Sequence, residues 1–401
     1  METKFFYNIL PTKNLGQNLS VLTYYSLCEL KIGQVVIIPL RSSSDTGLIV
    51  GQVKMQMKDK NDLDETKIKP IEKVLPIKLK SQQMSFLKVF ADNTFNSLND
   101  TWEAIWRPYS LLTKKQWALL ESYTPKITLI NENPQKVSNN VEFELETDYI
   151  IRIMNLIRSI QDELENGEKA ELQGFNKQIL IVFPERKLLN KIKDLLEFKI
   201  QNKQTSNCLS GLDSESNTNL KLWTYSGQID KHCKLLVWYL ICEQFEINEK
   251  EIEKEENFGS KNKKYSKKIT SPTVDNNSLD IILTTRAGLF LPFGNLHQII
   301  LLDEANSMYI QEQNSLYYDT REAIFLLNKA FLSNLRFISP LPSVRLYNFY
   351  SEKSLDHILS NYSAKTKKPL NVQITKYDRK SAKFNLFGWS IEQLLKPDDE
   401  L

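Results

Sequence analysis

The chain is poor in cysteine. Its four, Cys28, Cys208, Cys233 and Cys242, form no C-x-x-C pair. A zinc ribbon is therefore not expected, and neither is a disulfide framework in a chain of 401 residues. Long apolar runs are missing as well. No N-terminal stretch joins a basic start to an apolar core, and no run reaches the ~18 apolar residues of a membrane span. The expectation is a reduced, cytoplasmic protein with no membrane partner and no bound metal. Excess charge is also absent. A formal net charge of +3 neither demands a nucleic-acid partner nor opposes one. There are no internal repeats. The phosphate cradle G-x-x-x-x-G-K-[ST], whose backbone N–H groups and lysine hold a nucleotide, has no match anywhere in the chain.

What is present is ordinary in bulk, with 41% hydrophobic and 25% charged residues. The length suggests two or three domains. Residues 1–75 read as β-rich. Val35–Leu40 and Gly47–Val53 are β-branched runs separated by the turn formers Ser42 to Asp45, and Leu19–Tyr25 is a third candidate strand. A small barrel or curled sheet is expected, with Lys54–Lys69 as a polar loop. Residues 70–125 read as helical. Ser81 is placed to cap a helix over Gln82–Asn93, and another helix begins at Leu111.

A boundary falls in 126–144, and beyond it strands alternate with helices. Ile179–Phe183, Leu220–Tyr225, Ile281–Thr285, Gln298–Leu302 and Leu335–Ile338 read as buried strands. Tyr149–Leu164, Leu188–Phe198 and Ile229–Phe245 read as helices. Alternation of this kind predicts a parallel sheet covered on both faces. Two insertions interrupt it. Gln201–Asn219 is rich in Ser and Asn and reads as a loop. Glu246–Asn277 is acidic and then basic and is expected to be disordered. Its lysines are either simply solvated or able to touch a phosphate backbone.

The stretch with most chemistry is 281–313. Its second strand ends in Asp303-Glu304. In an open α/β sheet ligands bind beyond the carboxyl ends of strands. Two acids there can hold Mg²⁺ and position an attacking water. On spacing alone they are equally two solvated acids at the end of a strand. The strand–helix junction that should supply the phosphate cradle is Val141–Tyr149. It has no glycine and no lysine, and it carries Glu142, Glu144, Glu146 and Asp148. The acids stand without their partner.

Thr284–Leu296 (TTRAGLFLPFGNL) resembles the GTRSALF-x-PF-x-NL signature of the primosomal protein N′ (PriA) family of superfamily-2 replication-restart helicases. Ile299–Asn306 resembles that family's Walker B box. Ser307–Gln313, followed by Tyr317–Arg321, resembles its SYKQ…RYHARD run. Ile179–Glu185, Thr224–Gly227 and Ser339–Ser343 resemble three further segments in the same order. At the N-terminus, Leu22–Tyr25, Lys31–Gly33, Val35–Leu40 and Gly47–Gly51 resemble the FTY…GxRVxVPF…GxVxG pattern of the family's 3′ DNA-binding domain.

The resemblance implies an α/β multidomain chain. It comprises a 3′ DNA-binding domain at 1–75, a winged-helix-like domain at 76–135, one RecA-like lobe at 136–385 and a tail at 386–401. It implies a DNA site involving Thr23, Tyr24, Arg41 and Gly47, with Thr285 and Arg286 beside the DNA path. Half-buried strand packing is the other account of Tyr24 and Tyr25. Departures from the family are as informative as the matches. Glu146 stands where the phosphate-binding lysine belongs, Ala305-Asn306 replaces Glu-His, and the chain ends near where a second lobe would begin. The expectation is a degenerate, motor-dead relative without a bound cofactor, ATP and Mg²⁺ entering only if nucleotide binding survives. It would bind forked, 3′-ended or single-stranded DNA and work with other primosome proteins or single-strand-binding protein. The alternatives are a helicase subunit completed by a separate second lobe, and a protein-binding scaffold without DNA affinity.

Overall fold

The computed structural model describes residues 3–16, 20–53, 67–121, 124–125, 141–145, 151–158, 160, 177–209, 219–227, 230–242, 245–246, 278–311, 316–340 and 343. The expectations at Glu146, at 247–277 and for the 386–401 tail lie outside the described residues.

Five antiparallel strands form the N-terminal sheet: β1 (Phe5–Pro11), β2 (Leu22–Ser26), β3 (Gln34–Leu40), β4 (Ser43–Val53) and β5 (Lys73–Lys78). Their order is β2-β1-β4-β3-β5. Alternate residues point inward, so Tyr7, Ile9, Tyr24, Val36, Ile38 and Ile49 pack together as a core. The sheet curls until its edges are tied by residues 69–72. Tyr25 N–H donates to the Lys69 carbonyl (3.2 Å), Ile71 N–H to the Tyr25 carbonyl (2.9 Å) and Glu72 N–H to the Ile37 carbonyl (2.9 Å).

The structure corrects two strand expectations. The hairpin turn is not Ser42–Asp45 but Arg41-Ser42, since Leu40 pairs with Ser43 and Ile38 with Asp45. A two-residue loop needs a positive φ, and Arg41 supplies it at 55°. The edge strand β5 is masked in the sequence by Pro76, which an edge strand tolerates.

Three helices follow: α1 (Ser81–Thr94), α2 (Leu98–Tyr109) and α3 (Lys114–Glu121). Ser81 is the first helical residue rather than the cap. Lys80 is the N-cap, and its N–H donates to Gln83 Oε1 at 3.3 Å. Helix α2 goes beyond the sequence expectation, although it carries plain signals. Ser97 Oγ accepts from Asp100 N–H (3.0 Å), and Trp102, Ile105, Trp106 and Tyr109 recur at helical spacing.

The second sheet has six strands, all parallel: β7 (Val141–Leu145), β8 (Lys177–Val182), β9 (Asn219–Tyr225), β11 (Ser278–Thr284), β12 (Leu296–Leu302) and β15 (Asn334–Ser339). The order is β7-β15-β12-β8-β11-β9. Short pairs flank it, β6 (Thr124–Pro125) with β10 (Phe245–Glu246) and β13 (Ile310–Gln311) with β14 (Tyr318–Asp319). Helix α4 covers residues 151–158 and 160. It packs with α5 (Arg186–Leu209) on one face, where Ile153, Leu156, Ile157, Leu189 and Ile192 meet Ile179, Ile181, Ile281, Ile300 and Ile338.

The other face belongs to α6 (Lys231–Cys242) and α7 (Thr320–Phe331). There Tyr239 stacks on Trp223 and Phe325 meets Phe337. Burial on both faces explains the unbroken apolar runs. The loop expected over Gln201–Asn219 is corrected at both ends. Residues 201–209 continue α5, and Asn219 opens β9. No glycine or proline interrupts 201–209, so nothing stops the helix there.

Candidate functional site

Two places could carry chemistry: the carboxyl end of the parallel sheet, and the mouth of the curled N-terminal sheet.

At the first, Asp303 follows β12 in the left-handed region (φ 51°), a conformation that Asp tolerates better than most residues. Its N–H donates to the Ile338 carbonyl at 2.8 Å, and its carbonyl accepts from Asn306 N–H at 2.9 Å. The carboxylate lies 3.3 Å from Arg152 Nε on α4. Burial pushes the Asp303 carboxyl up, and the Arg152 guanidinium offsets part of that rise.

Glu304 is only 1% exposed. Ser343 donates to both its oxygens, from N–H at 2.8 Å and from Oγ at 2.6 Å. Arg321 lies 3.9 Å away and donates to the Glu304 carbonyl at 3.2 Å. The rest of the Arg321 fork takes Asp319 bidentately, at 2.8 Å on each oxygen. Those bonds to Asp319 raise the Arg321 pKa further.

Tyr309 closes the space beside these acids. Its ring is buried, and its hydroxyl lies between the carbonyl oxygens of Val182 (3.1 Å) and Leu302, donating to one of them at a time. These carbonyls end β8 and β12, the neighbouring strands whose carboxyl ends would face a ligand. Burial, and next the charges of Asp303 and Glu304, push the Tyr309 phenol well above its ordinary range.

Two acids of the expected cradle segment can be placed. Glu142 is exposed, whereas Glu144 is held by Arg336 (2.7 Å) and by the Asn155 amide. Glu144 is thus charge-compensated within the chain. Among the described residues, no group of three His, Cys, Asp or Glu side chains could hold a metal ion. A magnesium–nucleotide does not fit this donor set. Asp303 faces a guanidinium, and each Glu304 oxygen already accepts a hydrogen bond from Ser343.

Thr285 opens a 3-10 turn at Arg286–Phe290, and both Thr285 and Arg286 are half-buried. The Arg286 guanidinium donates to the carbonyls of Met308 (3.0 Å) and Ile310 (3.1 Å). Its visible work is to hold that segment. Gly288 is required by the same turn, since a Cβ there would fall 2.2 Å from Thr284 Oγ1.

At the mouth of the N-terminal sheet, the Tyr24 ring is 4% exposed and belongs to the core. No face is left for a base, and its hydroxyl donates to the Pro39 carbonyl at 3.0 Å. Burial, then the charges of Asp45 and Glu72, raise its pKa. Thr23 lies on the opposite face of β2 and donates to Asn8 Oδ1 at 3.3 Å. Arg41 is exposed at the hairpin tip. Its neighbour Ser44 donates to Glu72 at 2.7 Å. Tyr24 and the hairpin base therefore meet, while Thr23 faces away from them.

Gly47 is buried. A Cβ there would sit 2.4 Å from Ile9 Cγ2 and 3.3 Å from Ile38 Cδ1. Gly47→Ala is accordingly expected to cost about 1–3 kcal/mol by overpacking, read as a lower urea midpoint at unchanged slope.

Residues 11–107 match the family model described as the PriA 3′ DNA-binding domain (3′BD). This stretch of the chain is similar to that domain. The match spans β1's last residue through most of α2, about a quarter of the chain. No curated protein matches the chain.

Of the groups at the end of the parallel sheet, the sequence points to Asp303 and Glu304 but not to Arg152, Tyr309, Arg321 and Ser343. Tyr309, Arg321 and Ser343 lie within segments that carry the family resemblance without being singled out there, whereas Arg152 carries a local signal. It lies in line with Leu156 and Ile160 on a buried helical stripe, where a charge implies a partner.

Proposed function

We propose that the protein binds DNA through its N-terminal sheet, favouring forks and free 3′ ends. Its parallel sheet is then a RecA-like lobe that does not turn over ATP. The observation that carries the DNA half is the match of residues 11–107 to a 3′ DNA-binding domain, laid over a curled sheet whose hairpin tip presents Arg41. Support for the inactive half comes from the Arg152–Asp303 pair and from the two hydrogen bonds that Ser343 donates to Glu304. In this reading residues 1–75 form the DNA-binding domain, 76–135 a winged-helix-like domain, 136–385 the lobe and 386–401 a tail. The protein would act in the cytoplasm in replication restart, recruiting other primosome proteins or single-strand-binding protein to the DNA it marks. Thr285 and Arg286 stay as residues beside the DNA path. Among the described residues, no helix is long and apolar enough to cross a membrane.

The test is fork binding by the full chain, with free or blocked 3′ ends and with or without ATP. A free 3′ hydroxyl should tighten binding, added salt should weaken it steeply because phosphate contacts release counterions, and ATP should change nothing. An ATPase rate stimulated by forks and abolished by Asp303→Ala would sink the inactive-lobe reading. Weak, salt-insensitive binding would sink the DNA reading.

A further inference from the structure

Beside the hairpin tip a recess of about 370 Å³ opens between the chain leaving β1 and the C-terminal half of α2. Thr12, Lys13, Glu103, Trp106, Arg107 and Ser110 line it. We propose that it holds an internal nucleotide of a single DNA strand, with the base on Trp106 and the flanking phosphates on Lys13 and Arg107. The proposal rests on the DNA-binding reading above. It adds an interaction that needs no strand end.

The aromatic part is pre-ordered. Trp106 is half-buried and stacks on Tyr109 at 5.3 Å and 9° between planes, with Trp102 and Trp117 at 5.6 and 5.9 Å. A ring held this way stacks a base at little entropic cost, whatever the base. Buried Asp45 fixes the opposite wall, accepting from Thr12 Oγ1 (2.5 Å) and Lys13 N–H (3.1 Å).

The cations sit at the rim. Lys13 is exposed, with Nζ 3.1 Å from Ser43 Oγ, which places the recess next to the Arg41 tip. Arg107 is 61% exposed, and Glu103, the acid 3.3 Å from it, is itself 46% exposed. That ion pair is a surface pair of small worth, which a phosphate can displace. At the exposed rim two cations stand against Glu103, while the second acid, Asp45, is buried behind the wall and engaged by Thr12 and Lys13 N–H. The volume is that of a small-ligand pocket, enough for about one nucleotide and too small for a duplex.

The probe is a fluorescent oligothymidylate twelve nucleotides long, blocked by a 3′ phosphate so that end capture is silent, titrated with the full chain. Lys13→Gln with Arg107→Gln should weaken binding about tenfold. The log–log salt slope should flatten by about 1.4, at ~0.7 for each single-strand phosphate deprived of its cation. Lys187→Gln with Lys191→Gln, exposed on α5, should do far less. Trp106→Ala should weaken binding at least fivefold, and Trp106→Phe should restore most of it.

Unchanged binding by the rim double variant, with its thermal unfolding intact, overturns the proposal. So does an equal loss in the α5 control, or tighter binding of oligouridylate than of the DNA probe. The two readings fail separately. If end capture is wrong, free and blocked strands bind alike while the rim variants still weaken both. If the recess is wrong, the free-end preference survives and the rim variants change neither.

Discussion

Arg321→Leu is expected to destabilise the α/β region by about 3–5 kcal/mol, because it breaks a buried ion pair from one side. The guanidinium serves two nearly inaccessible carboxylates, Asp319 by two bonds of 2.8 Å and Glu304 at 3.9 Å. Removing it leaves both acids inside the protein, with Ser343 and the α7 N-terminus among their other donors. Leucine fills much of the volume, so the loss is electrostatic rather than a cavity. Arg321→Lys should recover only part of it, since a single ammonium cannot reproduce the fork. Urea unfolding of the full chain checks both. A loss under about 1 kcal/mol for Arg321→Leu, the worth of an exposed pair, would show that the carboxylates find other partners or reach water.

The second large effect is expected at Phe90. This ring is fully buried and lies 5.4 Å from each of Phe86, Phe290 and Tyr318. Its neighbours come from α1, the 3-10 turn after β11, and β14, so one side chain joins the helices that follow the N-terminal sheet to the α/β region. Phe90→Ala should cost about 3–5 kcal/mol through reduced burial and the cavity left behind. Other ties across this seam include the Phe86–Phe290 ring contact (5.9 Å), Lys80 Nζ to the Gly294 carbonyl (3.1 Å) and Asn96 Nδ2 to the Tyr317 carbonyl (2.8 Å), and all of them are weaker than the packing of Phe90 against three rings. Calorimetry should therefore show the seam failing first, with one transition broadening or splitting into two. Phe90→Leu, which keeps most of the volume, should hold a single transition.

What is legible in the sequence follows from how each signal is made. The strands of the parallel sheet are apolar without interruption because helices cover both faces, and runs such as Ile179–Phe183 declare themselves. The curled sheet is legible in its β-branched middle strands. Its edge strand β5 is not, because proline and lysine are what an edge tolerates. Helix α2 escapes the pattern although the Ser97-x-x-Asp100 box announces it. Its tryptophans interrupt the aliphatic spacing by which helices are usually recognised. At the sheet's end the acids can be placed from a strand ending in Asp303-Glu304, but their environment cannot. Arg152 is 151 residues before Asp303 and Ser343 is 39 residues after Glu304, and no local pattern encodes such pairings.

The Arg152–Asp303 pair has a thermodynamic consequence. A domain that depends on a bound ligand gains stability with ligand concentration, about 2.7 kcal/mol at a hundredfold excess over the dissociation constant. Its folded population then follows the supply of that ligand. Here the counter-charge to Asp303 comes from α4 of the same chain, at fixed stoichiometry and with no exchange. If the lobe is inactive as proposed above, the integrity of this end of the sheet does not follow the supply of a nucleotide.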